Sequence, residues 1–564
     1  MGISFAILGL VIISGIVLKF WYVRLVSDAQ GQICDSQGTP VPGETPKMIV
    51  GNLVDVYRAE NQLSAYHAFH EKYGEIVQIF WMWRQQISVT NYAMIRRIVV
   101  DNQKNYEKFR PNSVIQRLYG SSVLTNSGED WKRHRLLLKE VFSQKRVIGL
   151  HSSFITCTDQ LVELWKTSIG QAGDQMQLDV YPDLIALFLD IIGKAAIGYE
   201  FGALNGRALT FLENLNYITY QSTRPVHQFT RWWKLLPLPS NRKLSDSFAA
   251  IDEFLYDLIR QRRAENQNIA LQDSPQSNVL DLLLRATDFV DEEVQPLTNK
   301  EVRDNLLAII VNGYETVATC TALSLYLLAR HPEKLMRAQA EVDRVIEQNS
   351  GQLTNVGVSE LHYLKSIVLE SLRLYPPMAG LQRISLNADV LEGWSIPSRQ
   401  VVAATLMPLH QNSEYFGSNP EQFQPERYLS SEQVSDQTEE LVNSEFTSSG
   451  KCPLKFIHPY GKSDRQDKNG SRSTKPDVSL PLSFGDGARK CLGEHFAMYE
   501  MTVVLAMLLQ QFDIQVPSNF EVELELGKFG LFISMLPKAG VQLMLHHRHA
   551  IGRSEIAAHP EQAP

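Results

Sequence analysis

Cysteine is scarce and scattered in this sequence: Cys34, Cys157, Cys320, Cys452 and Cys491 are the five thiols in 564 residues. No two form a CxxC pair, which argues against a zinc site or a disulfide framework. So few thiols fit a reducing compartment. An excess of basic charge is missing too. With 54 Lys and Arg against 62 Asp and Glu, the formal charge is -8 and nothing points to nucleic acid. No internal repeat is visible. Hydrophobic residues at 44% and charged residues at 21% exclude a disordered chain and describe an ordinary globular one. Charge is absent from Met1 to Leu18, and the apolar character continues past Lys19 through Val23. About 20 such residues cross a bilayer. With Trp21 and Tyr22 at the interface and Lys19 and Arg24 on the cytosolic side, residues 1–23 are expected to be a single transmembrane anchor. A cleaved signal peptide is the alternative, but no basic segment precedes the apolar run.

Residues 24–46 contain Pro40, Pro42, Gly43 and Pro46 and read as a stiff hinge. Gly74 to Thr90 reads as a hairpin, Ile76–Phe80 and Ile87–Val89, turning near Arg84 and Gln85. From about 92 to 380 the pattern is helical. Thr298-Asn299-Lys300-Glu301 is a capping box, opening a helix that runs to about Arg330 and is apolar on most sides, hence buried. Further helices are expected over Pro332–Gln348 and Tyr363–Tyr375. Residues 429–483 are polar and aperiodic and read as a long, partly disordered surface insertion. A helix resumes after Cys491 to about Gln511. Short strands follow to about Leu545, and 546–564 read as a frayed tail.

The chemistry concentrates in Phe484-Gly485-Asp486-Gly487-Ala488-Arg489-Lys490-Cys491-Leu492-Gly493. This is a glycine-rich loop presenting one thiol just before a helix. A helix N-terminus with Arg489 and Lys490 alongside lowers a thiol's pKa, so a thiolate is expected near neutral pH. Gly487 and Gly493 let backbone approach a flat ligand, and Phe484 offers an aromatic face. On these grounds alone, a buried cysteine in a tight turn is the safer reading.

The spacing Phe-x-x-Gly-x-Arg-x-Cys-x-Gly resembles the haem-binding loop of the cytochrome P450 family, in which a cysteine thiolate holds the haem iron. Other segments resemble that family in the same order. Glu370-Ser371-Leu372-Arg373 is similar to its Glu-x-x-Arg helix, with both side chains on one face. Pro425-Glu426-Arg427-Tyr428 is similar to the loop whose arginine joins that pair. Trp131 and Arg135 resemble its Trp-x-x-x-Arg helix. With Arg383 and Arg489, they are implied partners of the haem propionates. Asn312-Gly313-Tyr314-Glu315-Thr316-Val317 resembles the oxygen-activation motif. There Gly313 weakens the helix, Thr316 bonds the carbonyl of Asn312 and bends it, and Glu315 and Thr316 pass protons. Asn312 and Val317 depart from the motif, which bears on substrate fit more than on chemistry.

The resemblance implies a mainly α fold with small β-sheets, one catalytic domain over 47–545 behind the N-terminal transmembrane helix. Length alone would suggest several domains. It implies haem b with Cys491 as axial ligand. The implied activity inserts one atom of O2 into a lipophilic small molecule, using electrons that pass from NADPH through the flavins of NADPH–cytochrome P450 reductase. Lys132, Arg133, Lys139, Lys145 and Arg146 form a basic face where that reductase would dock. Pocket walls are implied near 110–124, 309–316, 378–382 and 529–532. The late insertion gives a fungal look and a place in specialised metabolism, and the anchor implies the endoplasmic reticulum with the catalytic domain in the cytosol. Two other readings are a haem-thiolate isomerase or dehydratase needing no reductase, against which Thr316 argues, and a non-catalytic membrane-tethered haem protein.

Overall fold

A computed structural model describes residues 33–47, 50–59, 62–82, 84–109, 113–139, 141–224, 227, 238–267, 278–288, 296–429, 481–525 and 535–548. The expected anchor, most of the 429–483 insertion and the pocket wall at 529–532 lie outside them.

The body is mainly helical with small sheets. Six helices position the site: α1 (Ser113–Tyr119), α2 (Gly128–Lys139), α3 (Val180–Ile191), α4 (Asn299–Arg330), α5 (His362–Leu374) and α6 (Glu494–Gln511). α4 starts where its capping box predicts. Thr298 Oγ1 accepts from the Glu301 amide at 3.2 Å, and the Glu301 carboxylate accepts from the Thr298 amide at 2.8 Å. The helix ends at His331, before Pro332, which starts the next one. At 1.5 Å per residue it is roughly 48 Å long. Leu306, Leu307, Ile310, Leu323 and Leu328 are fully buried along it. Among the described residues, α4 is the helix long and apolar enough to cross a membrane, yet the body encloses it. α3, apolar through Leu184, Leu187, Phe188 and Leu189, packs beside it and runs into a π-helical turn, Ile192–Ile197.

Strands β1 (Ile76–Trp81) and β2 (Arg84–Val89) form the expected hairpin, with Ile76 opposite Val89 and Trp81 opposite Arg84. The chain therefore reverses between Trp81 and Arg84, earlier than the Arg84–Gln85 turn read from sequence. Met82 takes the left-handed φ of 58°. β3 (Tyr106–Lys108), β5 (Gly380–Ser385) and β8 (Val401–Thr405) complete a five-stranded sheet in the order β1-β2-β8-β5-β3. Its β3–β5 register sets Lys108 opposite Arg383. β6 (Asp389–Leu391) and β7 (Trp394–Ile396) make a small hairpin, and β10 (Leu524–Glu525) pairs with β11 (Leu536–Pro537). β4 (Gln175–Asp179), β12 (Gln542–His547) and β9 (Phe512–Gln515) form a third sheet, in which β12 runs on to His547. Beyond it, Arg548 grips Asp343 at 2.6 and 2.8 Å. Part of the expected hinge also packs down: Ile33 and Val41 are buried, and the Pro42 carbonyl accepts from the Gln78 amide at 2.8 Å.

Candidate active site

One internal cavity of about 1010 Å³ gathers most of the residues singled out above. Trp131, Arg135, Gly313, Glu315, Thr316, Arg383, Phe484, Arg489, Cys491 and Gly493 line it. Gly487, Glu370, Arg373 and Arg427 do not; they build its frame. The segments 115–126, 308–317 and 377–383 supply the walls expected within the described residues.

The cysteine loop is shaped by its backbone. Leu482–Phe484 and Gly487–Arg489 are short 3-10 turns joined through Gly485 at φ 71°. The Asp486 side chain accepts from the Gly487 amide at 2.6 Å, and the Phe484 carbonyl accepts from the Cys491 amide at 2.8 Å. Gly487 has φ 68°, and a Cβ there would sit 1.9 Å from the Val99 carbonyl oxygen. Its lack of a side chain thus serves contact with the Arg97–Asp101 turn, not with a flat ligand as the loop's sequence suggests. Gly493 meets nothing within 4 Å, so open space lies on the ligand side there.

Cys491 is accessible, yet protein surrounds it, because it opens on the cavity. Burial raises its pKa above the ordinary thiol value, although the Gly493 amide, Arg135 and Lys490 pull the other way. The expected neutral-pH thiolate is therefore not produced by the protein alone. Lys490 is paired with Glu494 at 2.6 Å, which is why the sequence argument overshoots. A bound metal would ionise the sulfur outright.

Arg135, Arg383, Arg489 and Lys108 are among the basic residues that face the same cavity. Burial lowers the pKa of Arg135, takes Arg383 and Arg489 down to about 10, and takes Lys108 down to about 7, aided by Arg383 and Arg489. None forms an ion pair with a described residue. Arg489 donates to the Asn126 carbonyl at 2.8 Å and lies 4.3 Å from the centre of the Trp131 ring. Buried charge without a counter-charge is costly, so this wall suits an anion that the described residues do not supply. Haem, with two carboxylates and an iron needing a sulfur, fits. Among the described residues, no cluster of three His, Cys, Asp or Glu side chains could hold a bare metal ion. Lys108 has no local sequence signal; only its register opposite Arg383 reveals it.

On α4, Thr316 Oγ1 donates to the Asn312 carbonyl at 3.0 Å, as expected. Gly313 has a second reason to lack a side chain: a Cβ would come within 2.8 Å of Ile192 in the π-helical turn. Glu315 faces a nest of phenols and raises the pKa of Tyr119, Tyr181 and Tyr314, after the larger effect of their burial. Glu500 on α6 carries no motif that would single it out. It is buried at the cavity wall, neither carboxyl oxygen has a hydrogen-bond partner among the described residues, and burial lifts its pKa well above the usual range.

Behind the loop, Glu370 and Arg373 are both fully buried and joined by two hydrogen bonds of 2.7 Å. Arg373 also donates to the His410, Pro420 and Gln422 carbonyls at 2.8, 2.5 and 3.1 Å. Arg427 reaches Glu370 at 3.4 Å, but its main partners are the Phe416 and Asn419 carbonyls. His410, which sequence reasoning misses, accepts from the Leu482 amide at 3.0 Å and donates to the Arg373 carbonyl at 3.1 Å. Ser483 donates to the Leu372 carbonyl at 2.6 Å. α5 is thereby bolted to the entrance of the cysteine loop. On the expected docking face, Arg133 pairs with Glu301 and Lys132 with Glu129, so both charges are neutralised locally.

Comparison with known proteins decides the family. The sequence pattern of Cytochrome P450 matches residues 41–543. The chain belongs to the cytochrome P450 family. It is 29% identical to "Cytochrome P450 97B2, chloroplastic" of Glycine max, over 89% of this chain and 87% of that one. Identity is 26% to "Protein LUTEIN DEFICIENT 5, chloroplastic" of Arabidopsis thaliana, covering 79% and 68%. It is 24% to "Cytochrome P450 3A13" of Mus musculus, covering 87% and 88%. As a P450, the chain is a haem-thiolate monooxygenase using O2, with electrons supplied by a reductase. The endoplasmic-reticulum placement is corrected: the soybean and Arabidopsis relatives, and a third from Pisum sativum, carry the word chloroplastic in their names. An apolar N-terminal segment does not name a compartment, and the expectation of the endoplasmic reticulum rested on that segment alone.

Proposed function

We propose that Cys491 supplies the thiolate to the haem iron of this P450. Arg135, Arg383 and Arg489, joined by Lys108, hold the two haem carboxylates, and Trp131 supports Arg489. The observation that carries this is the convergence on a single cavity of Cys491 with Arg135, Arg383, Arg489 and Lys108, none of these four ion-paired to a described residue. Bound haem supplies the activation of O2, with thiolate donation favouring O–O cleavage. The chain's own contribution is different. Thr316 and Glu315 hold protons beside the cavity, Gly313 brings α4 close to Ile192, and the Glu370–Arg373–Arg427 group fixes the loop that aims the sulfur. The cavity's accessible lining is more apolar than polar, supporting a lipophilic small-molecule substrate.

The electron donor we propose is an NADPH-dependent flavoprotein reductase, met by the exposed Lys139 and Lys145 beside α2. A plastid location follows the names of the relatives, and a membrane tether follows the apolar 1–23 segment.

The test is Cys491→Ser in the full-length protein. The ferrous carbon monoxide complex of the wild type should absorb at the red-shifted position given by a thiolate, and the variant should lose that band. A band unchanged by the substitution would remove Cys491 as the ligand.

A further inference from the structure

The cavity wall holds a polar pair that the oxygen chemistry does not use. Tyr119 ends α1, and its phenol is enclosed by protein while opening on the cavity. Burial raises the pKa of that phenol, and the Asn312 side chain, on the same wall, acts the other way. Asn312 donates one amide hydrogen to the Ala308 carbonyl at 2.7 Å, one turn back along α4. The rest of the side chain is exposed to the cavity. Apolar side chains, Ile115, Val123, Ala308, Ile309 and Leu381 among them, line the same cavity, and Glu315 acts on the Tyr119 phenol through its charge.

The pair is also held rigidly. Gly120, directly after Tyr119, has φ 47°, and a Cβ there would lie 2.0 Å from the Asp304 carboxylate. That carboxylate accepts from the Ser121 amide at 2.7 Å. Arg303 donates to the Leu118 carbonyl at 2.7 Å, and Asn305 accepts from the Val123 amide at 2.9 Å. Three consecutive side chains of α4 therefore staple the chain on both sides of Tyr119. A polar pair enclosed among apolar groups costs free energy unless a ligand or water completes its hydrogen bonds.

We propose that Tyr119 and Asn312 read a hydroxyl group on an otherwise hydrocarbon substrate. Between them they offer a donor and an acceptor, which an alcohol oxygen matches at once and a hydrocarbon leaves unsatisfied. Such a site discriminates well because rejecting the wrong ligand leaves buried polar groups unpaired. This deepens the haem-thiolate reading and depends on it, since the cavity must hold haem for the remaining space to take substrate.

The probes are bicyclohexyl and 4-cyclohexylcyclohexanol, which differ by one oxygen. Each is titrated into the haem-loaded full chain, reading the shift of the main haem band to the high-spin position. The wild type should bind the alcohol roughly tenfold more tightly, the value of one well-made hydrogen bond. Tyr119→Phe and Asn312→Leu, each close to the native side chain in size, should bring the ratio toward one with hydrocarbon affinity kept within about twofold. Equal binding by the wild type, binding of neither probe, or a ratio that survives in both variants overturns the proposal. So does increased peroxide leakage in Asn312→Leu with the alcohol preference intact, which would assign the pair to water and proton supply. The red-shifted carbon monoxide band, recorded for every protein, separates the two readings: its loss in the wild type strikes the haem assignment, while an intact band without alcohol preference strikes the polar pair alone.

Discussion

Thr316 is placed by its own helix: the hydroxyl that bonds the Asn312 carbonyl is held at the cavity wall and cannot swing freely. A proton-handling group of this kind contributes through proximity and a fixed orientation. In Thr316→Ala, haem binding should persist and NADPH consumption should continue, while product formed per NADPH falls roughly tenfold or more and peroxide rises. Measuring NADPH, peroxide and product together checks this; unchanged coupling would take the proton role away from Thr316. Cys491 shows how far a residue-level argument reaches. Its spacing singles it out, and the structure sets it on the cavity, but its ionisation is not legible from the sequence. Whether a cysteine is charged depends on what surrounds it in three dimensions, and here burial outweighs the nearby helix start and Lys490. Lys108 was illegible for a related reason: its partner in space is Arg383, far along the chain.

At the scale of elements, α5 and the cysteine loop behave as one part. Removing Arg373 would strand a buried carboxylate at Glu370 and free three carbonyls at once. Breaking a buried pair by deleting one partner costs about 3–5 kcal/mol, so Arg373→Ala should yield little folded holoprotein; recovery of holoprotein at the wild-type yield would contradict the bracing role. His410 adds a pH term to the same part. Burial lowers its pKa to about 3, so the folded protein keeps it neutral while the unfolded chain takes up a proton near the ordinary value. Stability should therefore fall as pH drops through about 6.5 and continue falling toward 3, by an amount on the order of a few kcal/mol. Urea midpoints from pH 7 to 4 would show the slope, and His410→Gln should flatten it. The elements themselves were largely readable. The capping box marks the start of α4, Pro332 its end, and apolar alternation marks the hairpin. The turn at Trp81–Arg84 was misplaced because a left-handed Met82 carries no sequence signal. Motif residues on α2, α4, α5 and the loop converge as expected, whereas the His410 bridge, two backbone-scale contacts in an ordinary turn, left no trace in spacing.

For the whole molecule, one body spans the region that the family pattern covers, 41–543, and part of the presumed hinge is built into it through Ile33 and Val41. A truncation meant to remove only the membrane tether should stop before Ile33, since cutting further strips core. Location is the whole-molecule question the sequence answered wrongly. A fluorescent protein fused to the C-terminus should follow plastid membranes rather than the reticulum, and a reticular pattern would restore the discarded assignment. The cavity wall carries a last consequence. Arg135, Arg383, Arg489 and Lys108 stand together without an ion pair to a described acid, and Arg383 and Arg489 act against the charge on Lys108, a repulsion that a bound dianion would relieve. Whatever binds the folded chain stabilises it in proportion to its supply. A greater supply of haem should therefore raise the stability of the folded chain, and starvation for iron should lower it.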